Sequence, residues 1–332
     1  MNIKKDMNIQ KLDLYDKKIL YELDINSRIS ASKIAKKIKL PKETVNYRIK
    51  RLQNSGIIKY FYTIINTSRL GYLYYKVFLK FEKMSTNMER DIIKFICQNK
   101  NCINLRIMEG IYDVAFLTTH RNPSDLRTLL YNLIDSFGTN ISDKSIHSIT
   151  TTHKPNQKIL LGGKTVNRFF YHENPKVLNI DELDRKIIQL LARNARVSLV
   201  EIARCVKKNS KVVRYRINKL ENLGVIVGYS YAFNLDLLKR NLVQVDITLK
   251  DSKAIPSIIE FFDRTRTCVF AYELLGKYDL SLELYVQDNK DLREILRKFR
   301  DFYNDAYTSF DVANIFKEYV ISWSPFESQN VC

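Results

Sequence analysis

Residues 45–58 read VNYRIKRLQNSGII, and residues 213–226 read VRYRINKLENLGVI. Eight of the fourteen positions are identical at a constant offset of 168, so one chain carries the same basic segment twice. Val45, Ile49 and Leu52 stand at i, i+4 and i+7, the spacing of the buried stripe of a short helix. The opposite face then presents Glu43, Asn46, Tyr47, Lys50, Arg51 and Asn54, and in the second copy Lys211, Arg214, Tyr215, Asn218 and Lys219. Arg48 and Arg216 fall beside the stripe, where a long side chain can cover the core and still reach a phosphate or a carboxylate. Gly56 is placed to end the helix, and the IIKYFYTII that follows has the β-branched and aromatic content of a strand.

The repeat extends outward from this segment. LDLYDKKILYELDINSRIS (12–30) returns as IDELDRKIIQLLARNARVS (180–198), pairing Asp16 with Asp184, Asn26 with Asn194 and Arg28 with Arg196. Further on the offset becomes 166, through a two-residue loop difference, and Gly110, Tyr112 and Asp113 meet Gly276, Tyr278 and Asp279. In each copy two short helical patterns precede the basic helix. The period then changes to that of strands, as in Tyr75, Val77, Leu79 and Phe81, or Val243, Val245 and Ile247 against polar Gln244 and Asp246. The order that follows, β-α-β-β-α-β, is the ferredoxin-like arrangement. The joint between copies contains Pro155, Gly162, Gly163 and Pro175 and reads as a linker, in which the apolar FFY of 169–171 is expected to pack on a neighbour.

A basic helix following another across a tight turn is helix-turn-helix geometry, in which the second helix enters the DNA major groove. Charge agrees: the net charge is +19, and residues 28–59 carry ten Lys or Arg against one acid, residues 196–227 eight against two. Arg and Lys suit guanine edges and phosphates, Asn suits adenine, and Tyr hydroxyls suit phosphate oxygens. The first 164 residues hold 29 basic and 14 acidic side chains, a net +15, and the remainder only +4, which leaves open a second copy that senses without reading DNA. Sheet aromatics Tyr74, Phe78, Tyr231 and Phe233 give a second reading, RNA binding by base stacking.

In this order and spacing, LDLYDKKILYEL, IAKKI, VNYRIKRLQNSGII and GIYDV, with their counterparts through GKYDL, resemble the Lrp/AsnC (feast/famine) transcriptional regulators, present as two fused copies over nearly the whole chain. The resemblance implies an α+β protein: two winged helix-turn-helix domains (1–62 and 180–232), each followed by a ferredoxin-like βαββαβ (RAM) effector domain (63–154 and 233–326), with a linker at 155–179. It implies double-stranded DNA as partner, read by Lys42, Asn46, Tyr47, Arg48, Lys50, Arg51, Lys211, Arg214, Tyr215, Arg216, Asn218 and Lys219. It further implies an amino-acid effector near Gly110, Tyr112, Asp113, Gly276, Tyr278 and Asp279, pairing of the two effector domains as a pseudo-dimer, and assembly of chains into homo-oligomers. Independently of the resemblance, G-x-Y-D reads as a hairpin turn in which Gly supplies positive φ and Asp bonds local backbone. The family commonly has Gly and then Ser in the helix-turn-helix turn. Lys39 with Pro41, and Lys207 with Asn209, depart from that, so the first recognition helix is expected to start at a shifted position.

No P-loop, G-x-S-x-G or dinucleotide fingerprint occurs, and the four His are scattered, so neither enzyme, cofactor nor metal is expected. The enzymatic alternative is a sirohaem decarboxylase, a class that resembles paired copies of the same two domains. It would need a haem-type pocket from His120, His147, Arg106 and Arg266. Five cysteines without a C-x-x-C suggest free thiols, and no 18-residue apolar run occurs, which points to the cytoplasm and away from membranes.

Overall fold

The computed structural model describes residues 12–156, 161, 168–171, 176–320 and 322–326. Copy one begins with three helices, α1 (Leu14–Ile25), α2 (Ala31–Ile38) and α3 (Lys42–Asn54), followed by strand β1 (Ile58–Ile65). Its second half is β2 (Leu73–Phe81), α4 (Thr86–Gln98), β3 (Cys102–Glu109), β4 (Val114–His120), α5 (Pro123–Phe137) and the long β5 (Ile141–Pro155). After a short β6 (Arg168–Tyr171) the plan repeats as α6 (Glu182–Arg193), α7 (Leu199–Cys205), α8 (Ser210–Asn222) and β7 (Ile226–Phe233). A one-turn α9 (Leu235–Leu238) leads to β8 (Asn241–Leu249), α10 (Ile255–Arg264), β9 (Cys268–Leu275), β10 (Leu280–Val286), α11 (Asn289–Tyr303) and β11 (Tyr307–Val320).

Local chemistry sets the helix starts. Ser30, Ser198 and Asn209 each accept a hydrogen bond from a backbone amide of their own helix's first turn, Asn209 at 2.8 Å from Val212. Pro41 makes no such bond, yet α3 starts at Lys42, the position equivalent to Ser210, so the expected shift does not occur. Its fixed φ already suits the step into a helix. The residues that stand where the family commonly has glycine, Lys39 (φ 58°) and Lys207 (φ 52°), adopt the left-handed conformation without being glycine.

The two copies are joined throughout. β1 and β7 pair antiparallel, with Tyr62 opposite Ser230, its own equivalent, so a pseudo-two-fold axis passes between them. One apolar cluster spans both three-helix units and includes Ile34, Val45, Leu52, Ile202, Val213 and Leu220. In the second halves the strand order β5-β2-β4-β3 continues through a β3–β11 seam into β11-β8-β10-β9 and returns through a β9–β5 seam. Eight strands thus form a closed ring, which leaves neither four-stranded unit with a free edge along the seams. The seams are related by the same symmetry: Ser148 pairs with Leu275 as Asn314 pairs with Glu109.

Each sheet face has its own partner. Val77, Leu105, Val114 and Phe116 pack with Ile92, Ile96 and Leu133 of α4 and α5, and Val245, Ile247 and Leu282 with Phe262, Ile295 and Phe299 of α10 and α11. The other faces meet inside the ring, where Phe78, Met108 and Leu117 touch Tyr272, Leu274 and Ala313. Gln244 and Asp246, the polar half of the β8 alternation, are therefore buried rather than wet. Of the four aromatics suggested for RNA stacking, Phe78, Tyr231 and Phe233 are each at most 3% exposed and Tyr74 is half-buried. Backbone 168–171 pairs with 152–155 of β5. The side chains of Phe169, Phe170 and Tyr171 and much of the linker lie outside the described residues. Cys97 and Cys102 are free thiols as expected, whereas Cys205 is disulfide-bonded.

Candidate nucleic-acid interface

α3 and α8 bury the predicted stripes, Val45, Ile49 and Leu52, and Val213, Ile217 and Leu220. Gly56 (φ 75°) and Gly224 (φ 66°) supply the left-handed turns that reverse the chain into β1 and β7. Lys42, Asn46, Tyr47 and Lys50 are exposed on α3, and Lys211, Arg214, Tyr215, Asn218 and Lys219 on α8. Tyr47 and Tyr215 are 66% and 67% exposed, which for aromatic side chains on a basic helix leaves two equivalent, uncovered contact surfaces.

The remaining predicted contacts are engaged inside the protein. Arg48 donates to Asp13 Oδ2 at 2.6 Å and Asp16 Oδ1 at 2.8 Å, and Arg51 Nη2 reaches both oxygens of Asp16 at 2.6 Å. Arg216 bonds Asp181 and, at 3.2 Å, Asp184, while Lys219 stands 3.8 Å from Asp184. The backbone amide of Asp184 and the Arg216 guanidinium hold the Asp181 carboxyl below the usual range. The aspartates clamp the recognition helix to the first helix, and their importance is visible in the sequence only as residues kept in both copies.

A second device fixes the two units against each other. Arg28 donates to the carbonyls of Ala195 (2.5 Å) and Val197 (3.0 Å), and Arg196 reciprocates onto Ser27 and Ile29. Each guanidinium also lies over an aromatic ring of the other copy, Arg28 over Tyr229 and Arg196 over Phe61. The helix pairs are thereby set by hydrogen bonds between copies, not by the linker alone.

The G-x-Y-D turns lie on the seams. Gly110 and Gly276 have no positive φ, contrary to the turn reading, and their need is for space. A Cβ on Gly276 would stand 2.6 Å from His147 Cδ2 and 3.0 Å from Ile146 O, and one on Gly110 2.8 Å from Val312 O. All three obstacles belong to the other copy. Asp113 and Asp279 do bond backbone, accepting from Phe81 N (2.9 Å) and Leu249 N (2.7 Å). Tyr112 and Tyr278 are buried, and Tyr278 stacks on His147, whose imidazole burial pushes down to about 4. Gly110→Ala and Gly276→Ala are each expected to cost about 2 kcal/mol through overpacking of the seam, measurable by denaturant unfolding.

Sequence reasoning missed a pair of equivalent crevices between the β1–β7 ribbon and the ring. One, beside Ile64, Ile65, Thr67, Tyr74 and Thr152, is filled by Trp323, which stacks on Tyr62 at 4.8 Å. The other, at the equivalent Ala232, Phe233, Leu235, Leu242 and Glu318, is an open groove of about 570 Å³. The filling residue comes from beyond the end of the last strand, where no repeat periodicity points to it.

Comparison with known proteins agrees with this geometry. A family model described as winged helix-turn-helix DNA-binding matches residues 12–59 and 180–227. An HTH-type transcriptional regulator of Pyrococcus horikoshii is 30% identical over 127 residues, covering 37% of this chain and 82% of that protein. The HTH-type transcriptional regulator LysM of Sulfurisphaera tokodaii is 32% identical over 104 residues, 31% of this chain and 71% of that protein. Each match has roughly the length of one copy. Over both copies the chain is similar in fold to the siroheme decarboxylase NirDL, with a TM-score of 0.61 and 12% identity across 92% of this chain and 91% of that one. The residues a haem pocket would draw on here do not fit the group. Arg106 is held by Glu283 and Glu318, His147 lies against Tyr278, His120 bonds Thr118, and Arg266 is exposed on a turn.

Proposed function

Because the chain belongs to the Lrp/AsnC family of DNA-binding transcriptional regulators, we propose that one chain performs the work of a dimer, reading the two halves of an asymmetric operator with α3 and α8. The observation that carries this is the pseudo-two-fold relation of two exposed basic helices, each clamped to its own first helix and each unit locked to the other by the Arg28 and Arg196 exchange. The faces differ, with Asn46 against Arg214 and Lys50 against Asn218, so the half-sites are unlike and lie about one helical turn, or a multiple, apart.

Sequencing of DNA retained by the purified protein would supply the operator. Affinity for it is then expected to fall about 1,000-fold between roughly 50 and 200 mM salt, since exposed lysines and arginines of both units release counterions from phosphates. Fluorescence anisotropy measures this, and a flat salt response would count against phosphate contact. For the effector, family membership makes amino acids the first class to test. We place it at the Gly110–Asp113 and Gly276–Asp279 turns, where a bound molecule would act on the seams that set the spacing of α3 and α8. A thermal-shift screen of single amino acids checks this, and a ligand whose effect survives Gly276→Ala and Gly110→Ala unchanged would place the site elsewhere. Such a regulator works in the cytoplasm.

A further inference from the structure

The interior of the strand ring contains charges, and they are sorted by copy. Copy one contributes Lys76 and Arg106, which are 1% and 3% exposed. Copy two contributes Asp246 and Glu283, likewise 3% and 1% exposed, with Glu318 at the rim. Arg106 makes a two-pronged bond to Glu283, Nη2 to Oε2 at 2.9 Å, and a further bond to Glu318 at 2.8 Å. Lys76 donates to Ser281 at 2.8 Å, stands 3.8 Å from Glu283 and lies over the Tyr272 ring at 4.9 Å. Each of these contacts crosses from one copy to the other.

The repeat alignment shows what each copy would offer to its own kind. The equivalents of Glu283 and Glu318 in copy one are Leu117 and Thr152, and those of Lys76 and Arg106 in copy two are Gln244 and Tyr272. A ring built from two copies of unit one would therefore bury two Lys–Arg pairs with no carboxylate. One built from two copies of unit two would bury Asp246 and Glu283 twice over with no cation. An uncompensated buried charge is far more costly than a paired one.

From this sorting we propose that the buried Lys76, Arg106, Asp246 and Glu283 are partner-selecting residues, which make copy one complementary to copy two and exclude like-with-like rings. The consequence is independent of whether DNA is read: α3 is always paired with α8. Burial pushes the Lys76 ammonium down to about 8, and the carboxylates of Asp246 and Glu283 across the ring oppose that shift.

Two full-length variants test this, Glu283→Arg, whose ring interior holds an excess of cations, and Arg106→Glu, whose interior holds an excess of acids. Each alone is expected to lose roughly 10 °C in melting temperature. Co-expressed with different tags, the two are expected to co-purify as a 1:1 two-chain assembly, because copy one of the first chain then finds its carboxylate in copy two of the second. Two differently tagged copies of either single variant are expected not to co-purify. In one chain, the double variant R106E/E283R is expected to recover more than half of the summed loss. The proposal is overturned by a single variant melting within about 2 °C of the parent, by equal co-purification of like and unlike variants, or by a double variant no better than the sum of its parts. Failure of the singles to accumulate while the unlike pair does so would support it. Failure of the unlike pair and the double variant as well would overturn it.

Discussion

Replacing Asn46, Tyr47 and Lys50 together by Ala is expected to lower affinity for the operator about 100-fold, and replacing Arg214, Tyr215 and Asn218 to lower it by a similar factor. A good base contact contributes about 1–3 kcal/mol and a phosphate contact less, so three side chains on one recognition face supply roughly 3 kcal/mol, which is a factor of about 100. The net charge of the two halves of the chain suggests a larger loss for the first copy, but the structure removes the basis for that. The two helices carry four Lys or Arg and one Glu each. Arg48 and Arg51 of α3 face Asp13 and Asp16 as Arg216 of α8 faces Asp181 and Asp184, and the exposed cations are Lys42 and Lys50 on α3 against Lys211, Arg214 and Lys219 on α8. Anisotropy titrations at fixed salt decide the matter. A loss confined to the α3 triple would mean that the second unit positions the first without reading bases.

The same geometry predicts a change of specificity and not only of affinity. Arg214→Asn with Asn218→Lys gives α8 the residues of α3 at two central positions of the exposed face, leaving Lys211 against Glu43 and Lys219 against Arg51. Because Asn suits adenine and Arg suits guanine, this variant should prefer a palindrome of the half-site read by α3. Selection from a random DNA pool reads this out, and retention of the parent's asymmetric preference would exclude those two positions from base reading.

The repeat, the helix-turn-helix and the βαββαβ order were legible because each is written in local periodicity: apolar residues at i, i+4 and i+7, glycine after the third helix, alternation in the strands. What escaped is written between distant residues. That Arg51 turns toward Asp16 and not toward solvent depends on how α1 crosses α3, and a helical wheel of α3 contains no α1. That Gln244 and Asp246 are dry depends on a second sheet closing over them. The glycines of the G-x-Y-D turns looked like positive-φ residues because that is the commonest use of glycine in a turn. Their actual role, room for β5 and β11 of the other copy, exists only once the ring is closed. Arg28 and Arg196 belong to the same class, since each acts on carbonyls about half a chain away. Their repetition at matching positions was the available sign that they mattered, though not of how.

Asp16→Ala is expected to destabilise the protein by about 2–3 kcal/mol, and Asp184→Ala by about 1–2 kcal/mol. Asp16 is 1% exposed and accepts four hydrogen bonds: one from Arg48 at 2.8 Å, two from Arg51 through both oxygens, and one from the Asp13 amide at 3.2 Å in a capping box at the start of α1. Removal strands the Arg51 guanidinium beside an apolar core and leaves Arg48 with Asp13 alone. The cost stays below that of a fully buried pair because the Arg48 and Arg51 side chains are 18% and 26% exposed and can recover part of their hydration. Asp184 is as buried, yet its contacts are longer, 3.2 Å to Arg216 and 3.8 Å to Lys219, and its lysine partner is 42% exposed, so less is lost. Denaturant unfolding of the two variants should rank them in that order, and equal losses would show that the shorter contacts around Asp16 add nothing. Below the unfolding transition, DNA affinity should change less than tenfold in either variant, because Val45, Ile49 and Leu52, or Val213, Ile217 and Leu220, still seat the recognition helix in the shared core. A larger loss of affinity in a folded Asp16→Ala protein would mean that the clamp sets the angle of α3 in the groove, and that Arg48 and Arg51 must be held by the carboxylate to keep Tyr47 and Lys50 on their bases.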